Sequence, residues 1–348
     1  MSHATAFADE TTATDEPAAT LRCLYCGGSQ LKELYTHVRD RLEYVPGERS
    51  WWQCAKCLSA LLVPQPKVEE LASFYPPVYS FTPEMGKKSP LAAFLALLEH
   101  RFFFGPQYRM QATQLAKMVG GAKNGRRLLD IGAGRGLRLV ELRKLGFEVH
   151  ALDLQQDVVR YLQNDLKIPA VCADVSEADV HFPAESFDVV SAYYLMEHIN
   201  DVAGFLQDCA KLLRPGGWVA IAIPFADSVQ ASIFGKRWIN VTEAPRHLSL
   251  PTQRGALDAF RAAGFVDAKI VPDAVFNSAG AFASSLVTNG TLTHAYGRPG
   301  WRAFLPRFLD GAAMLAALPF CYWESYSAGR PPMGTVYARK PIAAKGAN

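Results

Sequence analysis

Short apolar runs alternate with helical stretches through the middle of the chain. Five runs have the length and composition of buried strands, at 126–131, 147–152, 169–173, 187–192 and 218–223. Apolar residues at helical spacing follow the first run and precede the last one: Leu137, Leu139, Val140, Leu142 and Leu145, then Phe205, Leu206, Leu212 and Leu213. Alternating strands and helices predict an α/β protein. A further run at 335–339 is expected to add the last strand of the sheet.

A glycine-rich loop follows the first strand. Gly132, Gly134 and Gly136 stand directly before the first helical pattern. Glycine there lets a nucleoside approach the backbone, where a Cβ would block it, and the helix N-terminus offers unpaired N–H groups to a polar ligand. The spacing differs from the G-x-G-x-x-G pattern of dinucleotide sites. Tight packing of the turn is the alternative reason for Gly132 or Gly136.

Acidic residues end the second and third strands. Asp153 follows the run at 147–152 and is placed to accept hydrogen bonds from ribose hydroxyls. Asp174 follows the third run, where it either contacts an adenine or caps a helix that begins at Val175. Both positions are expected at the same edge of the sheet as the glycine loop.

In this order and spacing, the motifs resemble those of the class I S-adenosylmethionine-dependent methyltransferases. The matching segments are Leu-Leu-Asp-Ile-Gly-Ala-Gly-Arg-Gly at 128–136, Asp153, Ala-Asp at 173–174, Phe-Asp-Val-Val at 187–190, Met-Glu-His-Ile at 196–199 and Leu-Arg-Pro-Gly-Gly at 213–217. The resemblance covers roughly residues 105–270. It implies a Rossmann-like seven-stranded sheet with S-adenosylmethionine above the carboxyl ends of its first strands, where open α/β sheets bind ligands. The Pro-Gly-Gly at 215–217 predicts a turn.

The same resemblance implies which residues contact the cofactor. They are Asp130, Gly132, Gly134, Gly136, Asp153, Leu154, Asp174 and Tyr194.

Four cysteines form two identical Cys-x-x-Cys pairs. They are Cys23, Cys26, Cys54 and Cys57. Each pair aims two sulfurs at one point, and two pairs make a tetrahedral thiolate site for structural zinc. Strand-like pieces at 34–38 and 49–53 predict a zinc ribbon. A redox dithiol and an iron–sulfur cluster are the alternatives.

The remaining cysteines, Cys172, Cys209 and Cys321, lie in apolar surroundings and are expected in the core. A ribbon joined to a class I methyltransferase resembles a bacterial group that acts on small molecules or sugar-linked metabolites. In that group a proline-rich link and an aromatic run follow the ribbon, as at 64–66 and 74–79.

Aromatic segments outside the cofactor core should form the acceptor pocket. They lie at 74–109, which includes a helix-like run at 91–98, at 225–250 and at 276–332. Small-molecule pockets are mostly apolar with a few polar groups. The alternative role of an aromatic residue is core packing, and we expect it for most of these residues.

Methyl transfer is an in-line attack on a sulfonium methyl group, and a nucleophile that begins protonated also needs a base. His247, in a polar segment, and His198, after the fourth strand, are the best-placed candidates for a general base or a substrate ligand. Tyr194 and Glu197 come next. A buried structural role is the alternative for His198, and a free-amine acceptor would need no base.

Length and composition limit the remaining possibilities. The chain has 348 residues, 49% hydrophobic, with a net charge of +3, which suggests two globular domains and no nucleic-acid partner. No run is long enough to span a membrane. The first twenty residues lack a signal-peptide pattern, so we expect a cytoplasmic protein. The oligomeric state stays open.

We therefore expect a disordered tail at 1–20, a zinc ribbon at 21–66, an aromatic linker with lid helices at 67–108, and a methyltransferase domain at 109–348 with substrate-binding insertions at 225–250 and 276–332. The expected function is methyl transfer from S-adenosylmethionine to an oxygen, carbon or nitrogen of a small metabolite, for example a sugar-linked or natural-product intermediate. A nucleotide-dependent dehydrogenase and a non-catalytic zinc-ribbon binding module are the alternatives.

Overall fold

The structure is a computed structural model that describes residues 21–76, 101, 105–122, 125–286 and 301–342. The tail at 1–20 and the helical run at 91–98, both expected from the sequence, lie outside the described residues.

The strands of the described chain fall into two sheets. In chain order they are β1 (Leu31–Arg39), β2 (Glu48–Cys54), β3 (Ala60–Val63), β4 (Arg127–Ile131), β5 (Glu148–Asp153), β6 (Ala170–Cys172), β7 (Phe187–Tyr193), β8 (Leu213–Pro224), β9 (Ser249–Leu250), β10 (Val266–Pro272) and β11 (Met333–Arg339).

The helices of the same residues cover the larger sheet and link it to the smaller one. In chain order they are α1 (Val68–Leu71), α2 (Gly105–Val119), α3 (Leu137–Lys144), α4 (Gln156–Asn164), α5 (Ala178–His181), α6 (Val202–Leu212), α7 (Val229–Phe234), α8 (Ile239–Thr242), α9 (Gln253–Ala262), α10 (Val275–Leu286) and α11 (Trp301–Tyr322).

The larger sheet has seven strands in the order β10-β11-β8-β7-β4-β5-β6. The strands from β8 to β6 are parallel, whereas β11 is antiparallel to both β8 and β10. This sheet confirms the α/β fold and the seven strands expected from the sequence. Its strand order changes direction at β4, so the ends of β4, β5 and β7 border the crevice where such sheets bind ligands.

The central strand β4 is buried on both faces. Leu128 and Leu129 are both fully buried, but they belong to different apolar clusters on opposite sides of the sheet. Adjacent strand residues point to opposite faces, and helices cover both faces of a parallel sheet.

Two local expectations were wrong. The segment at 215–217, predicted as a turn, is part of β8, and Gly216 takes a φ of 79° where the register with β7 is interrupted. Cys172, expected in the core, is exposed, whereas Cys209 and Cys321 are buried as expected. Cys172 is the last residue of the edge strand β6, so it lies at the margin of the sheet and not in its buried centre.

The smaller sheet joins the cysteine-rich segment to the rest of the chain. Its order is β1-β2-β3-β9, and β9 is contributed by the segment between β8 and α9. Trp51 of β2 is fully buried, and its indole N–H donates to the carbonyl of Val241 at 3.1 Å. The cysteine-rich segment at 21–66, called the ribbon below after its expected fold, therefore shares core packing with the segment that follows the larger sheet's β8. Across the described ranges, no helix has the length and apolar character needed to cross a membrane.

Candidate active site and cysteine cluster

The loop between β4 and α3 has a backbone that favours glycine. Gly132, Gly134 and Gly136 have φ values of 69°, 51° and 63°, a region that residues with a Cβ adopt at a cost. A Cβ on Gly136 would overlap with Leu162 and lie 2.9 Å from Leu166 Cδ1. Packing therefore accounts for Gly136, the alternative left open by the sequence, while ligand contact at the loop stays a prediction.

Asp153 at the end of β5 holds this loop in place. One carboxylate oxygen accepts a hydrogen bond from the Gly134 N–H at 3.0 Å, and the other accepts one from the Gln155 N–H at 2.9 Å. Burial raises the pKa of the Asp153 carboxyl. Because carboxylate oxygens have further lone pairs, these backbone contacts leave acceptor capacity for ribose hydroxyls.

Asp130 lies beneath the loop rather than on its open side. Its carboxylate accepts hydrogen bonds from Arg138 at 2.8 Å and Ser191 at 2.6 Å, and it is almost fully buried. The Arg138 guanidinium also stacks over the Tyr193 ring, 3.4 Å from its centroid. These contacts give Asp130 a positioning role at the start of α3.

A cleft opens between the glycine loop and α2. Its lining residues are Gln107, Tyr108, Gln111, Gly132, Ala133, Gly134, Arg135, Gly136, Leu137, Arg138, Tyr193 and Tyr194. Leu154 is largely exposed. Asp174 accepts a hydrogen bond from the Ser176 N–H at 2.9 Å, so the capping role suggested by the sequence is present.

Tyr194 is fixed by a buried carboxylate that the sequence analysis missed. Its hydroxyl donates to Asp273, which also accepts hydrogen bonds from Gln111 at 3.0 Å and Asn277 at 2.6 Å. Burial raises the pKa of the Asp273 carboxyl. Asp273 follows β10, far from every motif in the sequence, so only the position of β10 beside β11 in the sheet brings it to the cleft.

The two candidate histidines lie against each other. The ring centroids of His198 and His247 are 4.8 Å apart, and one ligand atom from each of them and from Glu197 lies within 4.8 Å of the other two. Nδ1 of His198 lies 2.9 Å from the Arg246 carbonyl and 3.0 Å from the Tyr75 hydroxyl, and Nδ1 of His247 lies 2.9 Å from the Asn240 carbonyl. A nitrogen facing a carbonyl carries the proton, so Nε2 of each ring keeps its lone pair.

Burial controls the charge of this cluster. It lowers the pKa of His198 to about 4 and that of His247 well below its usual value, and it raises the pKa of Glu197 to about 8. Glu197 is almost fully buried, and its Oε2 has no hydrogen-bond partner among the described residues. At neutral pH both imidazoles are therefore unprotonated, and the carboxyl group has unused bonding capacity.

The ribbon supports the segment that carries His247. Arg246 donates hydrogen bonds to Asp40 of the ribbon and, at 3.0 Å, to Glu243. Arg246 and Asp40 are both buried. No sequence pattern indicates this pair, because the two residues are 206 positions apart and neither belongs to a recognised motif.

The four cysteines of the ribbon converge as their spacing predicts. Their sulfur atoms lie within 4.8 Å of one another, with 3.5 Å between Cys23 and Cys57 and 3.6 Å between Cys26 and Cys54. Thiolates around a tetrahedral zinc ion with bonds of about 2.3 Å would stand roughly 3.8 Å apart. The donor set and its dimensions therefore fit zinc.

The known proteins that this chain is similar to include methyltransferases. Residues 100–270 match the family model described as a methyltransferase domain. The ubiquinone biosynthesis O-methyltransferase of Rhodopseudomonas palustris (strain BisB5) is 33% identical over 127 residues, which cover 33% of this chain and 49% of that protein. The corresponding protein of Paracidovorax citrulli (strain AAC00-1) is 32% identical over 133 residues, covering 35% of this chain and 56% of that protein.

A solved structure of a SAM-dependent methyltransferase from Archaeoglobus fulgidus has a TM-score of 0.44 and 19% identity, covering 71% of this chain and 100% of that chain. The chain spans about half the length of the curated relatives it matches. The family-model match supports a methyltransferase domain at residues 100–270. The prediction of a methyltransferase is thereby confirmed.

Proposed function

We propose that this protein transfers the methyl group of S-adenosylmethionine to an oxygen of a small hydroxylated molecule. The observation that carries the proposal is the glycine loop fastened to Asp153 beside an open cleft, within a matched methyltransferase domain. The relatives named O-methyltransferases favour oxygen as the attacked atom.

The cleft would hold the cofactor through the loop at 132–136 and Asp153. The Asp153 carboxylate suits ribose hydroxyls, and loop N–H groups near the start of α3 suit a polar group. Tyr194, fixed by Asp273, would form the wall nearest the acceptor. When bound, S-adenosylmethionine supplies an electrophilic methyl group on a sulfonium sulfur.

His247 and His198 would activate the acceptor. Each keeps an unprotonated Nε2, because its Nδ1 faces a backbone carbonyl. The acceptor hydroxyl would give its proton to Nε2 of one of these histidines. Its oxygen would form the new bond to the methyl carbon, and the carbon–sulfur bond would break to leave a neutral thioether. Alignment contributes most of the rate and proton removal contributes the rest.

The test of the proposal is methyl transfer from isotopically labelled S-adenosylmethionine. The full chain is incubated with panels of phenols, sugar-linked alcohols and amines, and labelled products are identified by mass spectrometry. We expect label on oxygen of a hydroxylated compound. Label found only on nitrogen or carbon would overturn the oxygen assignment, and release of S-adenosylhomocysteine with none of these panels would count against a small-molecule acceptor.

We also propose that Cys23, Cys26, Cys54 and Cys57 hold one structural zinc ion. Four thiolates fill the coordination sphere, so the ion stabilises the ribbon and does not bind substrate. Metal analysis of the purified chain should find zinc that survives mild chelation and is lost in Cys26→Ser. Iron with a visible absorption band, or no metal, would contradict this proposal.

A further inference from the structure

Two histidines and a glutamate form a second group of potential metal ligands, separate from the four cysteines. These are Glu197, His198 and His247, whose ligand atoms lie within 4.8 Å of one another. Glu197 and His198 follow β7, whereas His247 precedes β9, so three ligands come from two segments that the fold brings together. The backbone N–H of Leu248 donates to the Glu197 carbonyl at 2.8 Å and joins these segments.

Both imidazoles are oriented as metal-binding histidines usually are. In metal sites the ring nitrogen that does not bind the ion commonly donates to a backbone carbonyl, which fixes the tautomer and the ring. Here Nδ1 of His198 faces the Arg246 carbonyl and Nδ1 of His247 faces the Asn240 carbonyl, each at 2.9 Å. Each Nε2 is therefore the nitrogen available to an ion.

Glu197 supplies an independent indication of a ligand. Its side chain is 1% exposed, and Oε2 has no partner among the residues described. Buried polar atoms are rarely left unpaired, and an exception calls for an explanation such as an ion. Two nitrogens and this oxygen would stand roughly 3.4 Å apart around an ion with bonds of about 2.1 Å, which small side-chain movements would reach.

The surrounding charge tolerates a cation. Arg246 precedes His247 in sequence, but its guanidinium is bound by Asp40 and Glu243. Arg41 is a second buried guanidinium at this place and lies 3.7 Å from Glu243. Two carboxylates thus face two guanidinium groups, so these side chains leave no net positive charge beside the three ligands.

We propose that Glu197, His198 and His247 bind a divalent transition-metal ion at the acceptor side of the methyltransferase site. Two imidazoles and one carboxylate are a common ligand set for such ions and leave coordination positions open. The inference rests on the proposed function and deepens it: the acceptor would carry an oxygen that occupies an open position, where the ion would favour loss of its proton. With the ion bound, the two histidines would act as its ligands, and solvent rather than Nε2 would take up the proton.

Cobalt(II) titration of the full chain tests this site. A thiolate-bound cobalt ion gives a strong charge-transfer absorption, whereas a site of nitrogen and oxygen ligands gives only weak visible bands. We expect the wild-type chain to take up a second cobalt ion of the weak-band type. Removing a group that only orients a metal ligand typically costs 10–100-fold in metal affinity. Removing a ligand should cost at least as much, so Glu197→Gln and His198→Gln should each lower the affinity for this ion by more than about tenfold.

His37→Gln is the matched control, because His37 pairs with Glu48 on the exposed ribbon surface. This variant should keep both ions. Binding of S-adenosylhomocysteine, measured by calorimetry on each sample, shows whether the cofactor site is intact.

The proposed metal site is wrong if the wild-type chain binds only the thiolate-bound cobalt ion. It is also wrong if Glu197→Gln and His198→Gln both bind the second ion as tightly as wild type does, or if the control His37→Gln loses the second ion. Failure of wild type to bind S-adenosylhomocysteine would instead count against the proposed function.

Discussion

Arg246 and Asp40 form a buried ion pair between the methyltransferase domain and the ribbon. Two guanidinium nitrogens of Arg246 donate to the two carboxylate oxygens of Asp40, and both side chains are at most 1% exposed. His247 is the next residue and lies against His198. The ribbon therefore holds one side of the candidate catalytic cluster in position.

Asp40→Asn should destabilise the protein by about 3–5 kcal/mol, because it leaves the buried Arg246 charge uncompensated. Urea unfolding measures the change. Asp208→Asn is the control, since its partner Lys211 is 59% exposed and such a pair contributes at most about 1 kcal/mol. Equal effects of the two substitutions would show that the Arg246 pair has no special role.

The stabilisation by Asp40 should also depend on pH. Burial alone would raise the pKa of its carboxyl, but the hydrogen bonds and charge of Arg246 outweigh burial and hold the pKa below its usual value. A lowered pKa in the folded state gives stability that is present above the unfolded pKa of about 3.9 and is lost as the pH falls through the folded value. The difference between wild type and Asp40→Asn should therefore shrink below about pH 4. A difference that stays constant down to pH 2 would contradict this assignment.

Gly136→Ala should be more damaging than Gly125→Ala. The two glycines have nearly the same φ, 63° and 64°, so both substitutions carry a similar backbone cost of about 1–2 kcal/mol. At Gly136 the new Cβ would meet Leu162 and Leu166, whereas at Gly125 none of the described residues beyond its chain neighbours lies within 4 Å of a Cβ. Thermal unfolding of the two variants measures the difference, and equal losses would show that α4 and the residues after it move away freely.

His247→Ala should lower the turnover rate by roughly 10²–10⁴-fold, the usual contribution of a group that assists proton removal. Affinity for S-adenosylhomocysteine should change little, since the loop and Asp153 are unaffected. His181→Ala is the control, because His181 is exposed at the end of α5. Turnover of His247→Ala within about threefold of wild type would remove His247 from the catalytic residues and leave His198 or alignment alone.

Asp153→Ala should weaken binding of S-adenosylhomocysteine by about 1–3 kcal/mol, because a hydrogen-bonded partner would be left unpaired. The same change removes the acceptor for the Gly134 N–H. Asp157→Ala, in an exposed position four residues later, should bind as wild type does. Unchanged affinity in Asp153→Ala, measured by calorimetry, would exclude Asp153 from the cofactor site.

Local sequence patterns were sufficient for the sheet, the glycine loop and the cysteine cluster, since each depends on neighbouring residues or on a short repeated spacing. They were insufficient where distant segments meet. Asp273 reaches Tyr194 only because β10 and α10 return to the cleft, and Asp40 reaches Arg246 only because β9 extends the ribbon sheet. The sequence places His247 in a polar segment, but it does not show that the ribbon binds the neighbouring Arg246 or that His247 is only 6% exposed.

The central claim is that the cleft beside the glycine loop binds S-adenosylmethionine. Calorimetry of the full chain with S-adenosylhomocysteine and, separately, with NAD tests it most directly. We predict saturable binding of S-adenosylhomocysteine at one site per chain and no binding of NAD. Binding of NAD without S-adenosylhomocysteine would contradict the claim and favour a nucleotide-dependent dehydrogenase.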